Sequence, residues 1–356
     1  MSSPFSAHTP LPAGYELDVY QFEKVLGNPG SFGVTYAARE KNSRARVAIK
    51  ELFPADLVVR NRKGRVLIQT AADEEIFREA MRMFRQEANI LAQVRHENVV
   101  RVIDYLEANG TGYMVMEYED GYDLFEHLEM QKPQRPNENE LRRLLMPLLD
   151  GLEAVHNLNY LHRDIKPSNL YLTRQHRLLL LDFGAARQVV ISRSRPLTEI
   201  LTAPYGPIEQ YGQTIPQGPF TDIYAIGVVL FTAMMRGAKF PAAPDRLRND
   251  SFVPLQHQLR DSEYSSGFLA PVDWALQFRG QDRPPTIAAW RAALNSNQPV
   301  KRREGQGTGG SFLEKLARFW TSDRSALWKL IALIAVIILG VAIVAIVITY
   351  LLSGEG

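Results

Sequence analysis

Apolar and polar positions change period along the chain, and the changes mark its elements. From Val25 the run VLGNPGSFGVTYAARE sets apolar residues on both sides of a glycine cluster, and alternation resumes at Val34 and Tyr36. This predicts a strand, a glycine turn and a second strand. A third strand is predicted to end in Val47, Ala48, Ile49 and Lys50. From about Glu74 to Val94 the period becomes helical, with Phe84, Ala88 and Leu91 on the buried face and Glu87 beside it. Residues 178–181, all leucine, read as a buried strand. Helices are expected over 141–156 and 223–235, so strands come first and helices follow.

One segment has no polar face at all. Residues 330–352 read LIALIAVIILGVAIVAIVITYLL, 23 residues without a charge. As a helix rising about 1.5 Å per residue they would cover a hydrocarbon core of roughly 30 Å. A buried core helix of this length normally shows a polar side, which favours a membrane span. Lys301, Arg302, Arg303, Lys315, Arg318, Arg324 and Lys329 precede it, and only Ser353, Gly354, Glu355 and Gly356 follow. The positive-inside rule then places everything before the span in the cytoplasm and the C-terminus on the far side of an inner membrane. Trp328 and Tyr350 sit at the two ends, where amphipathic rings favour the interface. The N-terminal residues, MSSPFSAHTPLPAG, lack the basic start and apolar run of a signal peptide. Residues 295–311 are rich in glycine, polar residues and charge, as a flexible tether is. Phe312, Leu313, Leu316, Phe319 and Trp320 recur at helical spacing, which fits an interfacial helix and a helix packed on the globular part equally well.

Charge and composition narrow the function classes. Lys and Arg number 41 against 39 Asp and Glu, a near balance that disfavours a highly basic nucleic-acid binder. The absence of cysteine excludes disulfides, thiolate metal sites and a cysteine nucleophile, and fits a reducing compartment.

The chemistry lies between Val25 and Asp182. A glycine turn lets backbone amides approach phosphates with no Cβ in the way, although alone it is equally an ordinary hairpin. Lys50 follows Gly33 by 17 positions and could aim its ammonium under that turn; its bland reading is a snorkelling surface lysine. Glu87 is either a solvated helix charge or the partner that holds Lys50. The segment 161–170, LHRDIKPSNL, sets Asp164, Lys166 and Asn169 in a polar loop between apolar stretches. An acid, a cation and an amide so close can orient a hydroxyl, neutralise phosphate and hold a metal. Asp182 follows directly on the leucine strand, where a carboxylate can coordinate a metal. Each has a bland reading as a turn or loop residue; their order and spacing together do not.

These residues resemble the protein kinase superfamily, specifically bacterial eukaryotic-like Ser/Thr protein kinases, over residues 20–294. The motifs are VAIK at 47–50, HRDIKPSN at 162–169, DFG at 182–184, TDIYAIG at 221–227 and the late Arg283 in QDRPP. The run TAPYGPIEQY at 202–211 is similar to the PIEQY variant of some bacterial members, including kinases associated with type VI secretion. KELFP after Lys50, with a long insertion before the helix, points the same way.

The resemblance implies an α+β, bilobal protein kinase fold. A small antiparallel lobe with one main helix (20–116) joins a mainly helical lobe (121–294) through a hinge at 117–120. Residues 1–19 would be an extension, 295–329 a juxtamembrane linker, 330–352 a single transmembrane helix and 353–356 a tail. ATP would lie between the lobes, against Leu26, Gly27, Gly30, Gly33, Val34 and Ala48. Lys50, paired to Glu87, would bind its phosphates. Met116 would be the gatekeeper, which otherwise reads as core filler. Glu117 and Tyr118 would offer backbone hydrogen bonds to adenine, and Asp123 could reach the ribose. Asp164 would accept the proton of the substrate hydroxyl, Lys166 would stabilise the transferring phosphoryl group, and Asn169 and Asp182 would hold Mg²⁺ or Mn²⁺. Glu209 and Arg283 would form a buried structural pair, and Asp222 would brace the catalytic loop. Arg163 would meet a phosphate on the activation segment at Thr198, placed there in trans by self-association, while Thr202 would contact Asp164 and Lys166. Protein substrates carrying Ser or Thr and the lipid bilayer are the implied partners, with no nucleic acid. One departure stands out: GNPGSFG at 27–33 is a residue longer than the usual G-x-G-x-x-G, and Pro29 removes a backbone donor. A non-catalytic scaffold and a small-molecule kinase are the competing functions; the intact motif residues oppose the first, and an activation segment like 185–209 opposes the second.

Overall fold

A computed structural model describes residues 10–30, 32–131, 134–184, 186, 189–190, 204–211 and 215–296, all of them within the unit formed by residues 1–300. The apolar run 330–352, the helical spacing at 312–320, and Thr198 and Thr202 lie outside the described residues. Among the described residues no helix is long and apolar enough to cross a membrane.

The first lobe is a six-stranded antiparallel sheet. Its strands are β1 (Glu16–Leu17), β2 (Tyr20–Gly30), β3 (Gly33–Glu40), β4 (Arg46–Leu52), β7 (Val102–Ala108) and β8 (Thr111–Glu117), in the order β1-β2-β3-β4-β8-β7. Side chains alternate across each strand, so on β4 Val47, Ile49 and Glu51 enter the core while Ala48 and Lys50 face the other way. Residues 10–19, read from sequence as an extension, belong to this lobe. Leu11 and Leu17 are buried, and the Leu11 amide donates to the Tyr36 hydroxyl at 3.0 Å.

The insertion after Lys50 folds into a two-stranded hairpin, β5 (Val58–Arg60) and β6 (Val66–Ile68). Its anchor is the buried carboxylate of Glu51. Arg60 donates to it at 2.6 Å, the Tyr36 hydroxyl at 2.9 Å and the Tyr113 hydroxyl at 2.8 Å. Burial and the neighbouring carboxylate push both tyrosines far above the ordinary phenol pKa, so both remain donors.

Helix α1 (Asp73–Leu91) packs Phe77, Ala80, Phe84, Glu87, Ala88 and Leu91 inward. It ends three residues before the predicted Val94. There the Gln93 and Val94 amides bond the carbonyls three residues back, a tightened last turn that still buries Val94. The apolar spacing therefore runs past the end of the α-helix.

The second lobe begins with β9 (Gly121–Asp123) and α2 (Leu124–Gln131). Helix α3 (Glu138–His156) opens on a capping box, in which Asn137 accepts from the Glu140 amide and Glu140 accepts from the Asn137 amide. Strands β10 (Leu170–Thr173) and β11 (Leu178–Leu180) join β9 in a small sheet of order β11-β10-β9. Helix α4 (Pro219–Met234) is mostly apolar and almost wholly buried, as a central core helix must be, with Thr221 and Asp222 in its first turn. After it come α5 (Ala243–Arg248), α6 (Leu255–Gln258), α7 (Ser266–Ala275) and α8 (Ile287–Asn295); α7 packs against α4, and α6 and α8 pack on α7. Trp290 of α8 is fully buried and donates its indole N–H to the Pro271 carbonyl at 2.9 Å.

Candidate active site

The glycine turn joins β2 to β3. Between the pairs Leu26–Thr35 and Gly30–Gly33, three residues of β2 face the single Val34 of β3. The extra length of the loop is thus taken up as a bulge, entered by Gly27 at φ +63°, a conformation in which a side chain would be strained. Val34 is buried and Ala48 partly so, while Met116 lies opposite Ala48 across β4 and β8. Leu26, Ala48 and Met116 share the face of Lys50, whereas Val34 is the cross-strand partner of Glu51 on the core face, so the expectation that Val34 lines the nucleotide cleft is corrected. At the hinge the Glu117 amide donates to the Arg101 carbonyl at 3.0 Å, so only the Glu117 carbonyl is free of that bond to meet a nucleotide. Asp123, expected near a ribose, has a structural task as well: its carboxylate caps α2 by accepting from the Glu126 amide at 2.8 Å.

Lys50 reaches out of β4 to Asp182, Nζ to Oδ1, at 2.9 Å. The sequence reading paired it with Glu87. The structure makes Asp182 the ion-pair partner and places the buried Glu87 close enough to act through its charge. Burial works against the ammonium. The Asp182 and Glu87 charges, the Asp182 hydrogen bond and the Asp164 charge outweigh it and raise the Lys50 pKa above its ordinary value. Lys50 therefore stays cationic, as a phosphate ligand must.

The catalytic loop lies between α3 and β10. Lys166 Nζ is 3.0 Å from Asp164 Oδ2, and the Asn169 amide nitrogen donates to that same oxygen and to the Asp164 carbonyl, both at 2.8 Å. With its nitrogen so occupied, Asn169 has its amide oxygen left as a hard donor. Asp182 stands on the neighbouring strand end, bound through the Asn169 carbonyl and the Leu181 amide at 2.9 Å. Among the described residues no three His, Asp or Glu side chains converge into a self-sufficient metal cage. One carboxylate and one amide oxygen suit Mg²⁺, which keeps waters and takes its remaining ligands from phosphate oxygens.

Strain marks both segments. Arg163 and Asp182 both adopt positive φ, +66° and +50°, which non-glycine residues hold only where surrounding contacts over-determine them. Asp222 of α4 supplies such contacts. Its carboxylate accepts from the His162 amide at 2.9 Å and the Arg163 amide at 2.8 Å, and it meets His156 Nε2 at 2.8 Å. Burial alone would favour the neutral acid; the His156 hydrogen bond, the two histidines and the Arg163 amide prevail and hold its pKa below the usual carboxylate range. The His162 ring stacks on Phe183 with centroids 4.3 Å apart, and the Gly184 amide donates to the His162 carbonyl at 2.9 Å. A Cβ on Gly184 would stand 3.0 Å from that of Asp164.

Farther along, Glu209 and Arg283 meet at 2.6 Å, both excluded from solvent. Arg283 also donates to the carbonyls of Gln277, Phe278 and Phe220, and the Thr221 hydroxyl donates to Glu209. Three residues without an assigned role in the sequence reading hold the elements around the site. Asn98 donates to the Leu178 carbonyl and ties the first lobe to β11. Glu51 stands on the apolar face of β4 and anchors the hairpin through Arg60. Gln210 belongs to the quoted PIEQY run and reaches the catalytic loop.

Residues 20–283 match the family described as Protein kinase domain. The chain belongs to the protein kinase family. This kinase domain is 36% identical to the solved PpkA-294 in its apo form, with a TM-score of 0.72 over 80% of this chain and 99% of that one. Serine/threonine-protein kinase B of Synechocystis sp. is 35% identical over 223 residues, 59% of this chain and 35% of that protein. Serine/threonine-protein kinase Nek3 of Mus musculus is 29% identical over 215 residues, 60% of this chain and 37% of that protein. The chain thus spans a little over a third of the length of these two relatives.

Proposed function

We propose that this protein is a serine/threonine protein kinase that transfers the γ-phosphate of ATP to Ser or Thr of protein substrates. What carries the reading is one observation: Lys50, Asp164, Lys166, Asn169 and Asp182 form one network, linked by contacts of 2.8 to 3.4 Å. In this reading Asp164 accepts the proton of the attacking hydroxyl, while Lys50 and Lys166 neutralise phosphate charge. Asn169 and Asp182 hold Mg²⁺, which supplies further charge neutralisation when bound. The chemistry needs positioning and electrostatics more than covalent help, which is what strained, doubly held loops provide.

Two further parts belong to this proposal. Residues 330–352 anchor the chain in a membrane, with the kinase domain on the side of the basic flank. Phosphate on Thr198 activates it by meeting Arg163, whose Nε is buried without a hydrogen-bond partner among the described residues. The test is incubation of the full chain with ATP and Mg²⁺, followed by mass-spectrometric mapping. Phosphate on Ser or Thr, including Thr198, is the expected result. Phosphate on tyrosine only overturns the specificity, and an active protein unmodified at Thr198 removes the regulatory part. Fractionation of cells should find the chain in membranes and a chain lacking 330–352 outside them; equal distribution removes the anchor.

A further inference from the structure

The backbone of Arg163 is held on both sides of its Cα by side chains from elsewhere in the chain. Its N–H donates to Asp222 at 2.8 Å. Its carbonyl accepts from the Gln210 amide nitrogen at 2.7 Å. Both holding residues are buried, Gln210 at 5% exposure and Asp222 at 1%. They also belong to one rigid block. Glu209, next to Gln210, accepts from the hydroxyl of Thr221, next to Asp222, at 3.1 Å, and Arg283 fixes Glu209 from the far side. The contacts close a ring that runs from Arg163 through Gln210, Glu209, Thr221 and Asp222 back to Arg163. Within this ring Arg163 keeps its φ of +66°, and the next residue is Asp164. A left-handed residue persists only while its surroundings impose it. Releasing the carbonyl end lets the peptide turn, and with it the Asp164 side chain.

We propose that Gln210 is a positioning residue: through the Arg163 carbonyl it sets the backbone that aims Asp164, and so couples the segment 207–211 to the chemistry. The inference rests on the kinase reading and deepens it by naming how the segment after the activation loop supports the catalytic base. Among the described residues Gln210 bonds to Arg163 and Pro207, and not to Lys50, Asn169 or Asp182. Its loss therefore acts on turnover and leaves ATP binding as it was.

The experiment compares the full chain with its Gln210→Met and Gln210→Glu variants. Methionine keeps the length and bulk and lacks the donor. Alanine is avoided because the cavity of about 10 Å³ beside Gln210 would grow and admit a water that could donate in its place. Glutamate keeps the shape and turns an acceptor toward the carbonyl. Loss of one hydrogen bond predicts a kcat about three- to tenfold lower for Gln210→Met, and lower again for Gln210→Glu, with the KM for ATP within about twofold of wild type. Amide exchange is measured in parallel over 160–170 and over α3. The variants should exchange faster in the loop and unchanged in the helix.

An unchanged kcat for folded Gln210→Met overturns the proposal. So does a fall in kcat accompanied by an equal loss of ATP affinity and faster exchange in α3, which marks general destabilisation. If the wild-type chain transfers no phosphate, the kinase reading fails on its own. The exchange data still decide whether Gln210 holds the loop, and equal loop exchange in all three proteins sinks that part as well.

Discussion

Lys50 and Glu51 are adjacent, yet strand geometry sends one to the cleft and the other to the core. Lys50 was legible because its motif is shared. Glu51 was hidden because its three donors come from residues far apart in the chain. The same contrast separates Asp164, evident from its motif, from Gln210, whose partner depends on how 207–211 folds back. Close approach also acts at the scale of one atom. Gly184→Ala places a methyl 3.0 Å from the Asp164 Cβ and must displace the loop or the DFG segment. Activity should fall by on the order of ten- to a hundredfold while the denaturation midpoint changes little; an alanine variant with full activity contradicts this contact. His162 sets a pH dependence. Burial lowers its pKa, against the pull of the Asp222 and Asp164 charges, below the roughly 6.5 of a free imidazole. The unfolded chain then binds the proton more readily than the folded one. Stability is complete above about pH 6.5 and declines as pH falls toward the folded pKa. The urea midpoint should drop between pH 7.5 and 5.5, and drop less in His162→Phe, which keeps an aromatic ring against Phe183. Equal drops would show that His162 takes no part.

Elements were most legible where one period ran unbroken. The β2–β3 turn and helix α1 stand where the pattern set them, with α1 closing early at Leu91 because its last turn tightens, while β4 runs past the expected end at Lys50 to Leu52. The hairpin 58–68 was seen only as an insertion. Its strands are three residues each, too short for alternation to register, and what holds it is ionic. Arg60 has 4% side-chain exposure and its Glu51 partner none. Arg60→Leu leaves Glu51 buried without its cation, which should cost about 3–5 kcal/mol. Equilibrium unfolding of the variant measures this. A loss below about 1 kcal/mol would mean that Tyr36 and Tyr113 satisfy Glu51 unaided.

At the scale of the molecule, strands come first, helices follow, and the cleft residues gather where the two lobes meet. Sequence order conveyed that division, because antiparallel strands joined by short turns assemble locally and leave the helical lobe to build around an apolar α4. It did not convey how the lobes are tied. Lys50 meets Asp182 across the cleft, and Asn98 grips β11, each bond joining residues at least 80 positions apart. The central claim is that this cleft transfers phosphate, with Asp164 taking the proton. The most direct measurement follows γ-labelled phosphate from ATP and Mg²⁺ to a generic protein substrate, for the full chain and for Asp164→Asn, with ATP binding measured in both. The account predicts label on Ser or Thr for wild type, a loss of at least a hundredfold in the variant, and equal ATP binding. Binding without transfer by wild type, or equal transfer by the variant, contradicts it.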